Sequence, residues 1–248
     1  MQQTMSLYSR LKRIAPRSAL VVARERRRWT ERRKYYSSLS VRDAFADVYR
    51  NKAWGEAEGE AFCSGFGSDE DFGKPYAEWV TRFAAHHKIR KMVDLGCGDF
   101  RVGRRILAAY DGQYVGVDVV PDVVKYNQHR FGSESVAFQC ANIIEDELPA
   151  GDMCMIRQVL QHLSNQQIKI VLDRCRMYAY LLVTEDVYVG PRMRPNVDKP
   201  HGADNRFYDR SGVYLDLPPY SLPTKTVLEM PTAGGSVLRT WLIEPARN

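Results

Sequence analysis

The sequence has no long apolar run and no cysteine spacing of the kind that marks a metal or disulfide site. A helix that spans a membrane needs about 20 apolar residues, and no stretch of this 248-residue chain approaches that length. The five cysteines are scattered without a CxxC pair, which disfavours a zinc site or a disulfide framework. The start also lacks the apolar core of a secretory signal. We therefore expect a metal-free, cytoplasmic protein with reduced cysteines.

Acidic residues are scarce in the first 34 positions. Only Glu25 and Glu31 oppose eleven lysines and arginines there, so this segment carries +9 (11 − 2), and the rest of the chain carries −3 (6 − 9). The pattern predicts a basic helical arm over residues 1–36, helical from about residue 6 and interrupted near Pro16.

Three hypotheses for the basic arm stay open. It binds RNA, because phosphate contacts need only Lys and Arg. It lies peripherally on the anionic inner face of a membrane, because it pairs a basic face with an apolar stripe. It is a helix that is solvated or binds a protein partner.

Residues 37–89 are predicted to form a helical lead-in to the main domain. Apolar residues at helical spacing predict a helix over 41–54. A glycine-rich loop follows at 64–68. A second helix is expected at about 74–87, with Pro75 near its first turn.

From residue 90 onward, apolar runs alternate with amphipathic segments. The predicted strands are 90–95, 114–118, 135–140, 152–157, 180–185, 225–230 and 236–244, and the predicted helices are 100–110, 121–131 and 164–177. This order predicts an α/β domain over 90–248, with a mostly parallel seven-stranded sheet and helices on both faces. Gly234-Gly235 predicts a closing hairpin. The proline-rich segment at about 188–223 is expected to be a cap loop or a solvated loop.

The third glycine of a dinucleotide-binding motif is missing. In the stretch VDLGCGDF, the GxGxxG register gives Gly96, Gly98 and then Arg101. Asp94, two residues before the first glycine, would repel a pyrophosphate but would attract a cationic amino-acid group. Asp118 ends the next predicted strand, YVGVD, where a carboxylate can accept hydrogen bonds from both hydroxyls of a ribose. Ligands of such sheets bind beyond the carboxyl ends of the strands.

These motifs resemble those of the class I S-adenosylmethionine-dependent methyltransferases, over about residues 64–187. The resemblance implies a Rossmann-like fold, S-adenosylmethionine as cofactor and S-adenosylhomocysteine as product. The cofactor-binding residues that it implies are Asp94, Gly96, Cys97, Gly98, Asp118, Asn142 and Gln158. Asn142 stands where this family often has an acid that contacts adenine. The loop Ser64–Ser68 is similar to loops that close over the methionine carboxylate in some members.

Two histidines are candidates for a catalytic base. The segment DMCMIRQVLQHLS resembles the family segment that passes beneath the transferred methyl group, and it contains His162. His201 lies in the late proline-rich segment. A hydroxyl acceptor benefits from a general base, for which His is the usual choice. The alternative for His162 is a structural histidine at the start of a helix.

The acceptor is predicted from a looser resemblance. RQVLQHLSN and the late segment resemble bacterial methyltransferases associated with surface glycans or sugars. No Asn-Pro-Pro-Tyr-like tetrad of amino-group methyltransferases occurs, since residues 216–220 (DLPPY) follow the fifth strand rather than the fourth. We therefore expect O-methylation of a sugar hydroxyl on a glycan or a small polar metabolite. The alternatives are an RNA methyltransferase directed by the arm and a non-catalytic, methyltransferase-like binding subunit.

Overall fold

The computed structural model describes the backbone of residues 19–244 and the side chains of residues 27–244. One seven-stranded sheet has the order β3-β2-β1-β4-β5-β7-β6. Strands β1 to β5 run parallel, and β7 pairs antiparallel with both β5 and β6. The strands are β1 Lys91–Leu95, β2 Gln113–Asp118, β3 Val136–Cys140, β4 Met153–Arg157, β5 Tyr180–Tyr188, β6 Lys225–Pro231 and β7 Ser236–Ile243. The predicted fold class is confirmed.

Six α-helices lie within the described residues. They are α1 Ala19–Ser37, α2 Val41–Arg50, α3 Glu70–His87, α4 Arg101–Leu107, α5 Pro121–Phe131 and α6 Asn165–Arg174. Local chemistry sets several of their starts: Ser40 caps α2 through the N–H of Asp43, and Ser164 forms a capping box with Gln167 at the start of α6. Pro121 occupies the first turn of α5, where its missing N–H is not needed.

Several predicted boundaries were wrong, including the ends of α4 and α6, which lie three residues before the predicted ones. Helix α2 ends at Arg50 rather than near 54, because Lys52 adopts a left-handed φ of 50° that no helix continues. Helix α3 begins at Glu70 rather than 74, so Pro75 lies inside it and not in its first turn. Strand β5 runs on to Tyr188, because its antiparallel neighbour β7 continues the pairing to that residue. The predicted arm helix before residue 19 lies outside the described residues.

The sheet separates two apolar cores. One contains side chains of α2, α6 and the late segment 189–224, and the other contains side chains of α3 and α4. The late segment has only a short 3-10 helix, Phe207–Asp209, yet Val213 and Leu215 are fully buried in the first core. It is therefore a packed layer of the domain, and the solvated-loop interpretation was wrong.

Two buried polar side chains hold the late segment in place. Asn196 donates to the carbonyls of Tyr214 and Pro218 and accepts the Tyr214 N–H. Arg206, 1% exposed, makes five hydrogen bonds. Its acceptors are the carbonyl oxygens of Leu160, Gln161, Leu163 and Val197 and the side-chain oxygen of Asn165. The guanidinium thus uses all of its donors within the protein.

Helix α1 docks onto the late segment. Arg32 pairs with Asp204, and Arg33 pairs with Asp209 at 2.9 Å. The guanidinium carbon of Arg33 lies 3.4 Å from the centre of the Trp29 ring, which is a cation–π contact. This end of the predicted arm is therefore packed against the rest of the chain.

Candidate functional site

The glycine turn, residues 96–98, leaves the carboxyl end of β1 and leads into α4. Gly96 and Gly98 have φ values of 81° and 54°, a region that favours glycine. The N–H of Gly96 donates to the carbonyl of Val117 at 2.7 Å, which holds the turn against the end of β2. A Cβ added at Gly96 would collide with the side chain of Val159. The turn therefore offers bare backbone at the edge where ligands of such sheets bind.

Two buried carboxyl groups flank the glycine turn. Asp118, at the end of β2, accepts the N–H groups of Gly98 and Val120, both at 3.0 Å. Asp94, on β1, accepts the hydroxyl of Tyr114. Burial raises the pKa of each carboxyl to about 6. A carboxylate has about four acceptor positions, so both groups keep capacity for further donors.

Strand β4 ends at Arg157, beside the glycine turn, and Gln158 follows it. Arg157 donates to the side-chain oxygen of Gln158 at 3.1 Å and to the carbonyl of Gly67 at 2.6 Å. Gln158 has a φ of 57°, a left-handed conformation at the point where the chain leaves the sheet. Burial lowers the pKa of Arg157, and its guanidinium lies 5.2 Å from the Tyr76 ring.

Side chains that sequence reasoning missed join the upstream loop to the glycine turn. Asp99 accepts the N–H of Ser64 at 2.7 Å, and the Asp99 N–H donates to the Ser64 hydroxyl at 2.8 Å. Tyr49 of α2 shares a hydrogen bond with the same hydroxyl at 2.9 Å. The position of Asp99 directly after Gly98 could have identified it as a site residue from the sequence. Nothing in the sequence identified Tyr49, because its contact depends on the packing of α2.

Cys97 lies within the glycine turn and is half-buried. Burial raises the pKa of its thiol, and the nearby carboxylates act in the same direction. A neutral thiol next to Asp94 and Asp118 does not add to the negative charge of the site.

Asn142 follows β3, next to the end of β2. Its side-chain oxygen accepts the N–H of Ile144 at 3.1 Å, and its amide donates to Glu145 at 2.9 Å. The side chain therefore bonds within its own turn, and the adenine contact stays a prediction.

His162 is buried in a 3-10 helix after β4. Its Nδ1 donates to the carbonyl of Gly202 at 3.2 Å, so Nε2 is the acceptor and faces the Gln161 amide at 3.3 Å. The ring packs against Trp54, with centroids 5.0 Å apart. Burial lowers the pKa of His162 to about 3. The imidazole is thus neutral near pH 7 and only weakly basic.

His201 joins the late segment to α6 and to the connection between α1 and α2. Its Nε2 donates to the carbonyl of Leu39 at 3.0 Å, and its Nδ1 accepts from the Gln167 amide at 3.3 Å. Both nitrogens of each candidate histidine are thus bonded to protein groups, and their catalytic roles stay predictions. Among residues 27–244, no three His, Cys, Asp or Glu side chains are grouped so as to hold a metal ion.

A family profile described as an O-methyltransferase domain matches residues 43–181, more than half of the chain. The chain belongs to this O-methyltransferase family. Its sheet has the strand order of the class I S-adenosylmethionine-dependent methyltransferase fold. The residues present fit this cofactor, because Asp94 and Asp118 flank the bare backbone of the glycine turn and keep acceptor positions for donors of a ligand.

Solved structures share the fold at low sequence identity. The N-terminal domain of EvdMO1 with S-adenosylhomocysteine bound has a TM-score of 0.52 and 12% identity, over 77% of this chain and 90% of that one. The methyltransferase domain of bacterial CtHen1-C has a TM-score of 0.50 and 12% identity, over 68% and 97%.

Human N-acetylserotonin methyltransferase in complex with S-adenosylmethionine has a TM-score of 0.48 and 14% identity, over 83% of this chain. The present chain spans 60% of the length of the human enzyme. A comparison with curated proteins gave no match. In the part of the chain that the structure describes, no helix is both apolar and long enough to cross a bilayer.

Proposed function

We propose that this enzyme transfers a methyl group to a sugar hydroxyl, on a glycan or on a small polar metabolite. The observation that carries methyl transfer is the glycine turn between two buried acids in a chain of the O-methyltransferase family. A sugar acceptor is supported by the EvdMO1 domain, which was also solved in the presence of S-adenosylhomocysteine and D-fucose, with a TM-score of 0.51. It is also supported by the hydroxyl of Tyr49 beside Gly98, whose ring packs edge-to-face on Trp54, and by the amide of Gln158 beside Gly67 of the upstream loop.

The flanking acids and the turn have distinct proposed tasks toward the cofactor. Asp94, with the backbone of Gly96, Cys97 and Gly98, contacts the methionine part, where the carboxylate of Asp94 neutralises positive charge. Asp118 uses its remaining acceptor positions for the ribose hydroxyls. Bound there, the cofactor supplies an electrophilic methyl group on a sulfonium.

Two further side chains complete the proposed cofactor site. Asn142 contacts the adenine by exchanging its bond to Glu145 for one to the base. Gln158, held by Arg157, orients groups near the transferred methyl. Each of these assignments is a prediction that a substitution can test.

Positioning and exclusion of water supply most of the proposed catalysis. A hydroxyl that has bonded to a methyl group is a strongly acidic oxonium, so even a weak base accepts its proton. His162 meets this need by exchanging the bond from the Gln161 amide to its Nε2 for one from the acceptor hydroxyl, although its pKa is about 3. It lies three residues after Val159, which contacts Gly96. His201 is the second candidate.

Transfer of radiolabel from methyl-labelled S-adenosylmethionine tests the acceptor. Free sugars, sugar nucleotides, lipid-linked glycans and RNA are offered separately, with Asp118→Ala as the blank. Label in a carbohydrate fraction supports the proposal. Label in RNA alone would replace it with the RNA methyltransferase alternative. Binding of S-adenosylhomocysteine without label in any fraction would favour the non-catalytic binding subunit.

An anionic partner for α1 is a second proposal. Arg28 and Lys34 are exposed on this helix, and Arg27 is exposed and pairs with Glu31 at 2.8 Å, whereas Arg33 is committed to Asp209. The exposed cations suit an anionic membrane surface, with RNA as the alternative. Because α1 packs on the late segment, deleting residues 1–36 would disturb the fold. The better variant is Arg27→Gln/Arg28→Gln. Flotation on anionic vesicles should fall in this variant, and unchanged flotation would contradict the membrane proposal.

A further inference from the structure

Arginine side chains hold the covering loop, residues 63–69, against the glycine turn. Arg101 donates to the carbonyl of Gly65 at 3.0 Å, Arg157 to that of Gly67 at 2.6 Å, and Arg105 to that of Ser68 at 3.0 Å. These arginines come from α4 and from the end of β4. The large apolar side chain of the loop, Phe66, is 49% exposed. Hydrogen bonds from arginine therefore hold this loop more than apolar burial does.

Arg101 connects both sides of this contact. Its Nε donates to Asp99, next to the glycine turn, at 2.9 Å. Its terminal nitrogens reach Asp69 at 2.9 Å and Gly65 at 3.0 Å, both in the covering loop, and contact Cys63 Sγ at 3.8 Å. Arg101 is 9% exposed. One buried side chain thus joins the turn to the loop.

The covering loop closes the approach to the glycine turn. A Cβ at Gly98 would collide with the hydroxyl of Ser64, and one at Gly67 would collide with Gln158. A ligand of the size of the cofactor cannot pass between Ser64 and Gly98, or between Gly67 and Gln158, while these contacts hold. Passage of the cofactor on this side therefore requires the loop to move.

The chain around the covering loop is built to bend. Gly59 and Gly65 have φ values of 76° and 93°, which only glycine adopts readily. No atom lies within 4 Å of the position of a Cβ on Gly59, and only Trp54 lies at 3.9 Å from one on Gly65. Rotation at these two glycines meets little steric resistance.

We propose that the covering loop is a lid and that Arg101 is the positioning residue that latches it. Opening breaks the bonds of Arg101 to Gly65 and Asp69, while its bond to Asp99 keeps it on the glycine turn. Closing restores them and excludes water from the site. This proposal rests on the cofactor of the enzyme and not on the identity of the acceptor.

The dissociation rate of S-adenosylhomocysteine tests the latch in the full-length protein. Arg101→Gln should release it roughly tenfold faster or more, because charge-assisted hydrogen bonds are lost. Arg101→Lys should restore part of the effect, and Arg82→Gln, at an exposed position on α3, should leave the rate unchanged. A purely structural role would instead lower the melting temperature without changing the rate. A folded Arg101→Gln protein with the wild-type rate would overturn the proposal.

Alkylation of Cys63, followed by mass spectrometry, tests lid opening without activity or ligand. Cys63 lies in the loop and is half-buried, whereas Cys140 is exposed and serves as the internal reference. Asp69→Ala removes the acceptor of only the outer bond, at an exposed position, so it tests the latch even if Arg101→Gln fails to fold. Both variants should increase the ratio of the Cys63 rate to the Cys140 rate, and an unchanged ratio would overturn the lid. Absence of label in every acceptor fraction, by contrast, bears on methyl transfer and its acceptor and not on the lid.

Discussion

The glycine turn and the late segment both bury charged side chains in irregular backbone, but they satisfy them differently. In the late segment, Arg206 makes five hydrogen bonds to protein acceptors. At the glycine turn, Asp118 accepts two N–H groups and Asp94 accepts one hydroxyl. Burial raises the pKa of both acids to about 6.

This difference distinguishes a buried charge that stabilises the fold from buried charges that are available to bind a ligand. A buried charge with all of its bonds made inside the protein holds the chain in place. A buried charge with spare capacity costs stability until a ligand supplies the missing partners. The same comparison applies to His162 and His201. Both nitrogens of each ring are already bonded to protein groups, so the case for their role in catalysis is weaker than the case for cofactor binding by the two acids.

The largest expected effect is the loss of stability on Arg206→Met. This change leaves several buried carbonyl oxygens without a hydrogen-bond donor. The free energy of unfolding, measured by urea titration, should therefore fall by about 4 kcal/mol. Arg206→Lys keeps the charge and up to three donors, so its free energy of unfolding should lie between those of Arg206→Met and the wild type. A loss below about 1 kcal/mol for Arg206→Met would contradict the structural role given to this side chain.

The next effect concerns affinity rather than stability. Asp118→Ala should weaken binding of S-adenosylhomocysteine by about 100-fold, because the ribose loses its charged acceptor. Calorimetric titration measures this, with a melting curve to show that the variant is folded. Asp111→Ala changes an exposed acid outside the glycine turn and is the control. Equal affinity in both variants would remove Asp118 from the cofactor site.

Removing the buried charge of Asp94 should stabilise the ligand-free protein. The pKa of Asp94 is raised to about 6, so the folded state disfavours the charged form, and the stability penalty is present above that pH. Asp94→Asn should therefore gain on the order of 2 kcal/mol at about pH 8, and the gain should disappear below about pH 4. Urea titrations at both pH values decide this. A gain that is independent of pH would not come from the carboxylate.

The pH dependence of binding follows from the same two pKa values. Protonation of Asp94 and Asp118 below about pH 6 removes negative charge from the site. Affinity for S-adenosylmethionine should then fall by about tenfold for each pH unit and each carboxylate that must be charged. Asp94→Asn should show a shallower dependence than the wild type. Affinity that stays constant between about pH 7 and about pH 5 would mean that neither carboxylate needs its charge.

The sheet and the acids of the glycine turn could be predicted because their signals are local. Periodicity located all seven strands, and the separation of Gly98 and Asp118 matched two neighbouring strand ends. The turn at Gly234-Gly235 marked the last hairpin for the same reason.

The other contacts of the site and of the late segment could not be predicted, because they join residues that are far apart in the sequence. Ser64 and Asp99 lie 35 residues apart, and Arg206 bonds to residues more than 40 positions earlier. Neither spacing has a periodic signature. The extension of β5 to Tyr188 likewise depended on a partner strand that follows almost 50 residues later.

The docking of α1 onto the late segment also has a consequence during protein synthesis. Arg32 and Asp204 are 172 positions apart. At roughly 5–20 residues per second on the ribosome, the helix is made about 10–35 s before its acidic partner. Throughout that interval Trp29 and the arginines around it lack the surface that later covers them. The first helix that the structure describes is thus among the last to find its place.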